Sequence, residues 1–362
     1  MKKLLLSLLL SVSFGTVVAQ NISVRYYNLH GKLVSDVEMA SFFSEYHISD
    51  TGVLHNQFFI ANNKIFLSEK LTDTISRARN GQSVFFYPNG QVMTSGSYVN
   101  DRKQGPWVSF HPNGYLKDST FYNNGSVSGV FMRWHANGAY ADSINYNKGK
   151  FFKGSWFDNG NPSSFGYCQG NEDSLVGQWT FFHPNGQIAA KEEYDALGKL
   201  LAAKYFDENG NVVDNIEPLS LTEQTENVIM ALDKYLDKHL SFPIGRIKKD
   251  VLISLAVEFT IDEQGKMEDI FVLLPSKEEY NEAFIKALKS FDKWPVFSHK
   301  NRKVKRKIVL MRPYFYWISG SMKRGGEFDD NNGLYQSRFD PRIESNRRLI
   351  QSMWGKGLND KW

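Results

Sequence analysis

Three histidines recur at one place in the middle of the chain, and recurring histidines could hold a metal ion. His111, His135 and His183 each lie three residues before the glycine of an Asn-Gly pair. Zinc requires ligand nitrogens about 2.0–2.1 Å from the metal, whereas successive hairpins of a sheet are offset by two strand spacings, roughly 10 Å. These histidines therefore indicate a repeat, and we predict no metal and no cofactor.

Other catalytic signals are also missing from the sequence. No phosphate-binding glycine loop, nucleophile elbow or metalloprotease helix motif occurs. The single cysteine, Cys168, excludes an internal disulfide and is either a small buried residue or a reactive thiol. We predict no enzyme and no catalytic residues. Because the carboxylates of a glycosidase can lie far apart in sequence, a glycan-active hydrolase hidden in the repeats stays open as an alternative.

The repeats themselves are the strongest pattern in the chain. Asn-Gly pairs recur at intervals of 22 to 26 residues and end at Gly90, Gly114, Gly138, Gly160, Gly186 and Gly210. A proline before Asn-Gly suits a type I turn, and the glycine then takes the left-handed bulge position of a three-residue hairpin loop. Each unit is therefore predicted as one β-hairpin, with an aromatic strand before the turn and a second strand after it.

One aromatic position, four residues before each glycine, is shared by all six units. We call it the aromatic ladder; it consists of Phe86, Phe110, Trp134, Trp156, Phe182 and Phe206. Stacked hairpins bury a continuous stripe, so the ladder is predicted to be core that holds the array together. The alternative is an exposed aromatic strip that binds sugars or peptides.

Two units, Gly105-Pro-Trp-Val-Ser-Phe-His-Pro-Asn-Gly114 and Gly177-Gln-Trp-Thr-Phe-Phe-His-Pro-Asn-Gly186, carry a family resemblance. Over residues 81–213 their pattern resembles the MORN repeat and its bacterial variant, a family of tandem two-stranded hairpins, and the array is predicted to span residues 81–214. The stretch from Tyr26 to Val34 is similar to that from Tyr205 to Val213. Residues 20–80 are therefore predicted to be a degenerate β-hairpin cap on the array.

The N-terminus has the features of an export signal. Met-Lys-Lys is followed by the apolar run Leu4–Leu10 and by small residues up to Ala19, so residues 1–19 are predicted to be a signal peptide. The periplasm is the expected destination, with the cell surface and the medium as alternatives. The formal charge of +4 gives no general attraction to nucleic acid. We predict no nucleic-acid partner and no stable membrane insertion.

The pattern changes after residue 214 and predicts a second, smaller domain at residues 215–318 of order α-β-β-α-β. Capping boxes at Ser220–Glu223 and Ser276–Glu279 open the two predicted helices. The predicted strands are Val251–Ile261, Met267–Leu274 and Val304–Tyr316. The whole chain is therefore predicted to be mainly β, a tandem hairpin array followed by a small α+β domain. A polar, weakly ordered tail is predicted at residues 319–362.

Four short motifs give the second domain a resemblance of its own. They are Phe242-Pro243, Phe259-Thr-Ile-Asp-Glu-Gln-Gly265, Trp294-Pro295 and Arg312-Pro-Tyr-Phe315. In this order they resemble the C-terminal domain of TonB-type energy transducers over residues 235–316. The resemblance implies that an extended peptide is bound by strand addition to a sheet edge. The candidate edge is Val304–Met311, and its candidate residues are Val304, Arg306, Ile308 and Leu310.

Together these patterns predict an exported, non-enzymatic interaction or scaffold protein of the cell envelope. Its expected partner is an extended segment of an envelope or outer-membrane protein. The alternative within the same resemblance is a TonB-like component acting at outer-membrane transporters, in transmembrane transport. The basic run at residues 300–307 has six cations in eight positions. It is interpreted either as a site for an anionic ligand or as a solvated loop and edge strand.

Overall fold

The computed structural model describes residues 24–28, 32–146, 149–214, 219–244, 251–316, 322–324, 327–328 and 335–336 of the 362. The predicted signal peptide and most of the predicted polar tail lie outside these residues. Within them, no helix combines the length and the apolar character needed to span a bilayer.

Strands dominate the described part of the chain. The strands of the first unit are β1 Arg25–Tyr27, β2 Leu33–Val34, β3 Phe42–Ser49, β4 Gly52–Phe59, β5 Ile65–Leu71, β6 Arg79–Phe86, β7 Val92–Val99, β8 Arg102–Phe110, β9 Leu116–Asn123, β10 Ser126–Trp134, β11 Tyr140–Tyr146, β12 Lys150–Trp156, β13 Pro162–Gln169, β14 Leu175–Phe182, β15 Ile188–Tyr194, β16 Leu200–Phe206 and β17 Val212–Val213. A short 3-10 helix spans Val37–Met39. The later elements are α1 Leu221–His239, β18 Val251–Ile261, β19 Met267–Leu274, α2 Glu278–Lys289, β20 Ser298–His299, β21 Arg302–Lys303, β22 Arg306–Tyr316, β23 Met322–Arg324, β24 Glu327–Phe328 and β25 Tyr335–Gln336.

Strands β1 to β17 form one antiparallel sheet of seventeen strands. Strand β1 lies between β2 and β3, and from β3 to β17 each strand pairs with the next along the chain. The first hairpin pairs Tyr26 with Val34, and the last pairs Tyr205 with Val213 in the same manner. The predicted hairpin array and the mainly β fold class are confirmed.

The turns have the geometry that Pro-Asn-Gly predicts. The six repeat glycines have φ between +83° and +89°, a region that costs a residue with a Cβ strain. At the second turn Gly114 N–H donates to His111 O and His111 N–H donates to Tyr115 O, both at 2.8 Å. The register shifts beside the first five of these turns, for example between Ser109 and Phe110, so the glycine there forms the expected bulge. Around the sixth turn β16 and β17 pair without a shift.

The C-terminal unit has the predicted order α-β-β-α-β, with the small β20–β21 hairpin inserted before the last strand. Its sheet has the order β19-β18-β22-β23. The capping box at Ser220 and Glu223 is present at the start of α1. The capping box predicted at Ser276 is wrong, because α2 begins at Glu278 without a side-chain cap. Ser276 lies just before the helix, and its N–H donates to Oδ1 of Asn281, in the first turn of α2, at 2.9 Å. The backbone N–H of Ser276 is therefore hydrogen-bonded although its side chain is not a cap.

The C-terminal sheet is covered on both faces. One face packs on the two helices, and its core includes Leu255, Val257 and Phe259 together with Leu232 and Phe284. The other face packs on the array, where a second core is shared by the two units; its members are Phe42, Phe59, Phe66, Leu67, Phe85, Tyr87, Met93, Ala256, Leu273, Leu274 and Met311. We call the face of the array that carries this contact the inner face, and the opposite one the outer face.

Candidate interaction surfaces

The basic run at residues 300–307 fastens the C-terminal unit to the array. Lys300 Nζ donates to Glu192 Oε1 at 2.9 Å and to Tyr194 OH at 3.0 Å. The Glu192 side chain is fully buried, and its carboxylate also accepts from Tyr205 OH at 2.9 Å. One cation from the second unit therefore neutralises a carboxylate that the array buries on its inner face.

Two further cations of the run contact array residues near the turns. Arg302 NH1 donates to Ser163 Oγ at 3.1 Å and to Phe182 O at 3.0 Å. Lys305 Nζ lies 2.9 Å from Asp158 Oδ2 in the array and 3.3 Å from Glu268 Oε1 in β19. The interpretation of this run as a solvated loop is wrong.

The remaining cations leave little positive surface. Arg306 Nε donates to Thr225 Oγ1, Lys307 pairs with Glu258 at 3.1 Å, and only Lys303 of the six is exposed. Because five cations are already engaged within the chain, the run offers an anionic ligand at most one uncommitted charge.

The ion pairs of Lys305 bring two carboxylates together, as a glycosidase would require. Burial alone would raise the pKa of Asp158, but the hydrogen bond and the charge of Lys305 outweigh burial and lower the pKa. A glycosidase needs one carboxylic acid with a raised pKa and room for a sugar between the two groups. Here the Lys305 ammonium lies between the two carboxylates, so Asp158 and Glu268 are each placed to pair with Lys305 and leave no room for a sugar.

The repeated histidines bind neighbouring repeats. His111 Nε2 lies 2.9 Å from Trp134 O, and the same contact joins His135 to Trp156 O and His183 to Phe206 O. In each case the histidine donates to the carbonyl of the ladder residue one repeat later. Burial lowers the pKa of His111 to about 4, which keeps the ring neutral. Groups of three metal-binding side chains are absent from the described residues.

The asparagines of the turns make a second set of bonds between repeats, which the sequence analysis missed. Each Asn Nδ2 donates to a carbonyl in the next turn; the pairs are Asn89–Pro112, Asn113–Ala136, Asn137–Asp158, Asn159–Pro184 and Asn185–Glu208. The recurrence of asparagine at the same turn position, every 22 to 26 residues, was the signal that the sequence offered.

A serine, a histidine and a carboxylate meet near the start of the array. His55 Nδ1 lies 2.9 Å from Glu69 Oε1, and its Nε2 lies 3.0 Å from Ser44 Oγ. The arrangement has the connectivity of a catalytic triad, but the nucleophile of a triad must reach substrate and Ser44 is fully buried. These side chains therefore cross-link β3, β4 and β5.

Cys168 is expected to resist thiol reagents in the folded protein. The residue is fully buried, and burial raises the pKa of its thiol to about 11, so the reactive thiolate is scarce at neutral pH. We expect an aromatic disulfide reagent to label the native chain at least about tenfold more slowly than the urea-unfolded chain. Equal rates would mean that the thiol is accessible.

The aromatic ladder lies half-buried on the outer face. Buried rings of the array, such as Phe85 and Phe181, are one residue away and point to the inner face. Phe165 links two ladder members, with ring centroids 5.5 Å from Trp156 and 5.9 Å from Phe182. The ladder therefore packs within the outer surface of the sheet and leaves part of each ring accessible.

The predicted edge-strand residues are mostly core. Val304, Ile308 and Leu310 are each at most 5% exposed and pack against the helices. Arg306 Nε donates a hydrogen bond to Thr225 Oγ1 in α1. Side chains held in this way cannot contact a bound peptide, so only the backbone of β22 is available for recognition.

One side of β22 is open over most of its length. Strand β18 pairs with all of β22 on one side. On the other side β23 pairs only with Tyr314–Tyr316, and no other strand of the described residues pairs with residues 306–313 there. Pro313 has no N–H and is tolerated in a strand where the N–H would point away from the sheet. By alternation, the N–H groups of Lys307, Val309 and Met311 also point to the open side.

Comparisons with known proteins agree with the geometry of the array. The model of the MORN repeat variant matches residues 79–100 and 175–196. No curated protein matches the chain. One similar solved structure is described as "Crystal Structure of TarM", with 14% identity, 28% of this chain and 19% of that chain covered, and a TM-score of 0.20.

A second solved structure is that of "accessory secretory protein 1,2 and 3 in Streptococcus pneumoniae", with 14% identity and a TM-score of 0.14. The match covers 38% of this chain and 23% of that chain. The chain thus spans less than a quarter of the length of either structure, and with such TM-scores neither describes its overall fold. The array is built of hairpin units similar to the MORN repeat variant.

Proposed function

We propose that this chain is an exported, non-enzymatic interaction scaffold of the cell envelope that binds an extended segment of another envelope protein at β22. The observation that supports the proposal most directly is the open edge of β22 at residues 306–313. Backbone N–H and C=O groups along such an edge are a template for an added strand. The resemblance of residues 235–316 to the TonB C-terminal domain stays a prediction and points to the same edge.

The array supports this function by holding the edge rigid. The sheet of the C-terminal unit is fixed between its helices and the inner face, through the shared core and the Lys300–Glu192 ion pair. An edge that is already ordered loses less conformational entropy when a peptide binds. The repeats thus act as the support on which the binding edge is mounted.

The experiment is a selection of short random peptides, displayed on phage, against the full chain, followed by measurement of affinity with purified variants. Val309→Pro removes one outward N–H, and Val309→Ala is the matched control that keeps it. We expect Val309→Pro to weaken binding about tenfold, the effect of one lost backbone hydrogen bond of about 1–1.5 kcal/mol. Val309→Ala should bind nearly as well as the native chain.

Amide hydrogen exchange on the native protein tests the same claim without any substitution. A bound peptide should slow exchange at Lys307, Val309 and Met311, since these amides gain a partner. Selected peptides that protect other amides, or equal affinities for the two Val309 variants, would refute strand addition at β22.

The transporter-linked alternative uses the same edge and differs in how the chain is held. A transducer-like component requires residues 1–19 as a retained anchor, whereas a free scaffold requires their removal. N-terminal sequencing of the mature protein, combined with cell fractionation, separates the two.

A further inference from the structure

The chain that follows β22 turns back and pairs with the same side of β22 that is open further along. Strand β23 is antiparallel to β22, with Tyr314 opposite Arg324 and Tyr316 opposite Met322. The open part of the edge begins directly beside this pairing, at Pro313. The segment that leaves β23 is therefore the part of the chain that is tethered closest to the open edge.

The register of β23 determines which residues of this segment would meet the open edge. Continued one residue at a time, it gives three further opposed pairs on the open side; they are Pro313–Gly325, Met311–Glu327 and Val309–Asp329. Proline has no N–H to donate, so the first of these pairs would lack one bond, and β23 ends just before it, at Arg324. Pairing can resume at Glu327, because the outward N–H groups of β22 are present again from Met311.

Strand β24, Glu327–Phe328, has a free side of its own. It pairs with β25 along one side, with Phe328 opposite Tyr335, and none of the described strands pairs with its other side. Only Gly325 and Gly326 separate it from β23. So short and flexible a tether gives β24 a high effective concentration at the edge of β22.

An apolar contact is available to β24 beside this edge. Phe328 would lie opposite Leu310 and, by alternation, on the helix side of the sheet. On that side α1 follows β22, because two of its residues, Thr225 and Asp233, accept hydrogen bonds from β22. Ile229 lies midway between them on the same face of the helix and is only partly buried. Its side chain is therefore available to the Phe328 ring.

The residue after β24 has a charge that suits the same register. Asp329 would lie opposite Val309 and diagonally across from Lys307. The Lys307 side chain pairs with Glu258 and keeps 26% of its surface exposed, so its ammonium can reach a second carboxylate. Opposite charges at neighbouring cross-strand positions stabilise strand pairing.

We propose that β24 and Asp329 dock on the open edge of β22 when no partner is bound, and that a partner must displace them. This inference rests on the proposed function, and it names the chain's own tail as the first occupant of the proposed binding edge. Docking adds backbone hydrogen bonds at Met311 and Val309 and does not reach Lys307. Because Met311 O already accepts from Arg312, one of these bonds is shared, which favours exchange of the tail for a longer partner strand.

Amide hydrogen exchange of the free full chain tests the docking. Glu327→Pro with Asp329→Pro removes both N–H groups that would donate to β22. The matched control, Glu327→Ala with Asp329→Ala, loses the same carboxylates and keeps the N–H groups. We expect the Val309 and Met311 amides of the native chain to be protected at least about tenfold more strongly than the Lys307 amide. The proline variant should lose this protection, and the alanine variant should keep most of it.

A peptide selected for binding at β22 gives a second readout. It should bind the proline variant about tenfold more tightly than the alanine variant, because only in the alanine variant must it displace the tail. Equal protection at Val309 and Met311 in the native chain and the proline variant would overturn the docking, even with peptides that bind the edge. Protection that rises with protein concentration, together with a dimer in sedimentation, would also overturn it, since β24 would then come from a second copy.

Failure of the proposed function has a different signature. In that case no selected peptide protects the amides of β22 even in the proline variant, whose edge is free. The tail would still protect Val309 and Met311 in the native chain, and its docking would then serve only to cover an exposed strand edge.

Discussion

Gly166→Ala is expected to lower the free energy of unfolding by about 3 kcal/mol, a large effect for a single methyl group. A Cβ at Gly166 would lie 2.2 Å from ring atoms of Trp179, and Trp179 cannot move away because it is 3% exposed and its Nε1 donates to Tyr167 O at 2.9 Å. Gly166 does not have a positive φ, so the cost comes from overlap with the indole alone. Urea unfolding followed by tryptophan fluorescence measures the change.

The control is a double-mutant cycle with Trp179→Ala. That substitution alone should cost about 3–5 kcal/mol through the cavity it leaves. In its background Gly166→Ala should cost nothing, or stabilise by up to about 1 kcal/mol by restricting the unfolded chain. An unchanged cost of Gly166→Ala in the Trp179→Ala background would show that the indole is not the cause.

The same cross-strand position explains why the repeats vary where they do. Gly96 has the same relation to Trp107, whose ring atoms a Cβ would also meet at 2.2 Å. Two other repeats have a larger residue at the position of this glycine. Ile144 then faces Lys153, and Glu192 faces Ala203, so neither faces a tryptophan. At these junctions between strands, a tryptophan on one strand is therefore matched by a glycine on the other, and a larger residue is matched by a side chain other than tryptophan. In this way the space between the facing positions is packed without overlap.

The hairpin array could be predicted from the sequence because its signals are local. The φ that Gly114 adopts and the proline before Asn113 determine one turn without reference to the rest of the chain. The alternation from Val251 to Ile261 likewise determines β18. The hydrogen-bond partners of His111 and Asn113 could not be predicted from the sequence, because they lie one repeat away and their identity depends on the offset between hairpins.

The candidate site was predicted less well, for a physical reason. Alternating apolar residues in β22 indicate a strand, but they do not show that both faces of its sheet are covered, one by the helices and one by the array. Ile308 and Leu310 pack on the helices while Met311 packs on the array, so no apolar side chain is left for a ligand. The sequence showed the charges of the basic run but not their partners, and only the fold could show that Glu192 and Asp158 pair with Lys300 and Lys305.

The junction between the two units leads to the second large effect. Lys300→Ala is expected to cost about 3–5 kcal/mol of stability, because it leaves the Glu192 carboxylate buried without its cation. Tyr194 and Tyr205 still donate to that carboxylate, but two neutral hydrogen bonds replace an ion pair only in part. Urea unfolding should show the loss, and the single transition expected from the shared core should separate into two.

Lys303→Ala is the matched control, since Lys303 is an exposed cation in the same run and its removal should change stability by less than about 0.5 kcal/mol. The double variant Glu192→Gln with Lys300→Ala should regain part of the loss, because a neutral amide can accept from the tyrosines without needing a cation. If Lys300→Ala were as mild as Lys303→Ala, the ion pair would not hold the units together. The shared apolar core around Phe85 and Met311 would then be sufficient to fix β22 on the array.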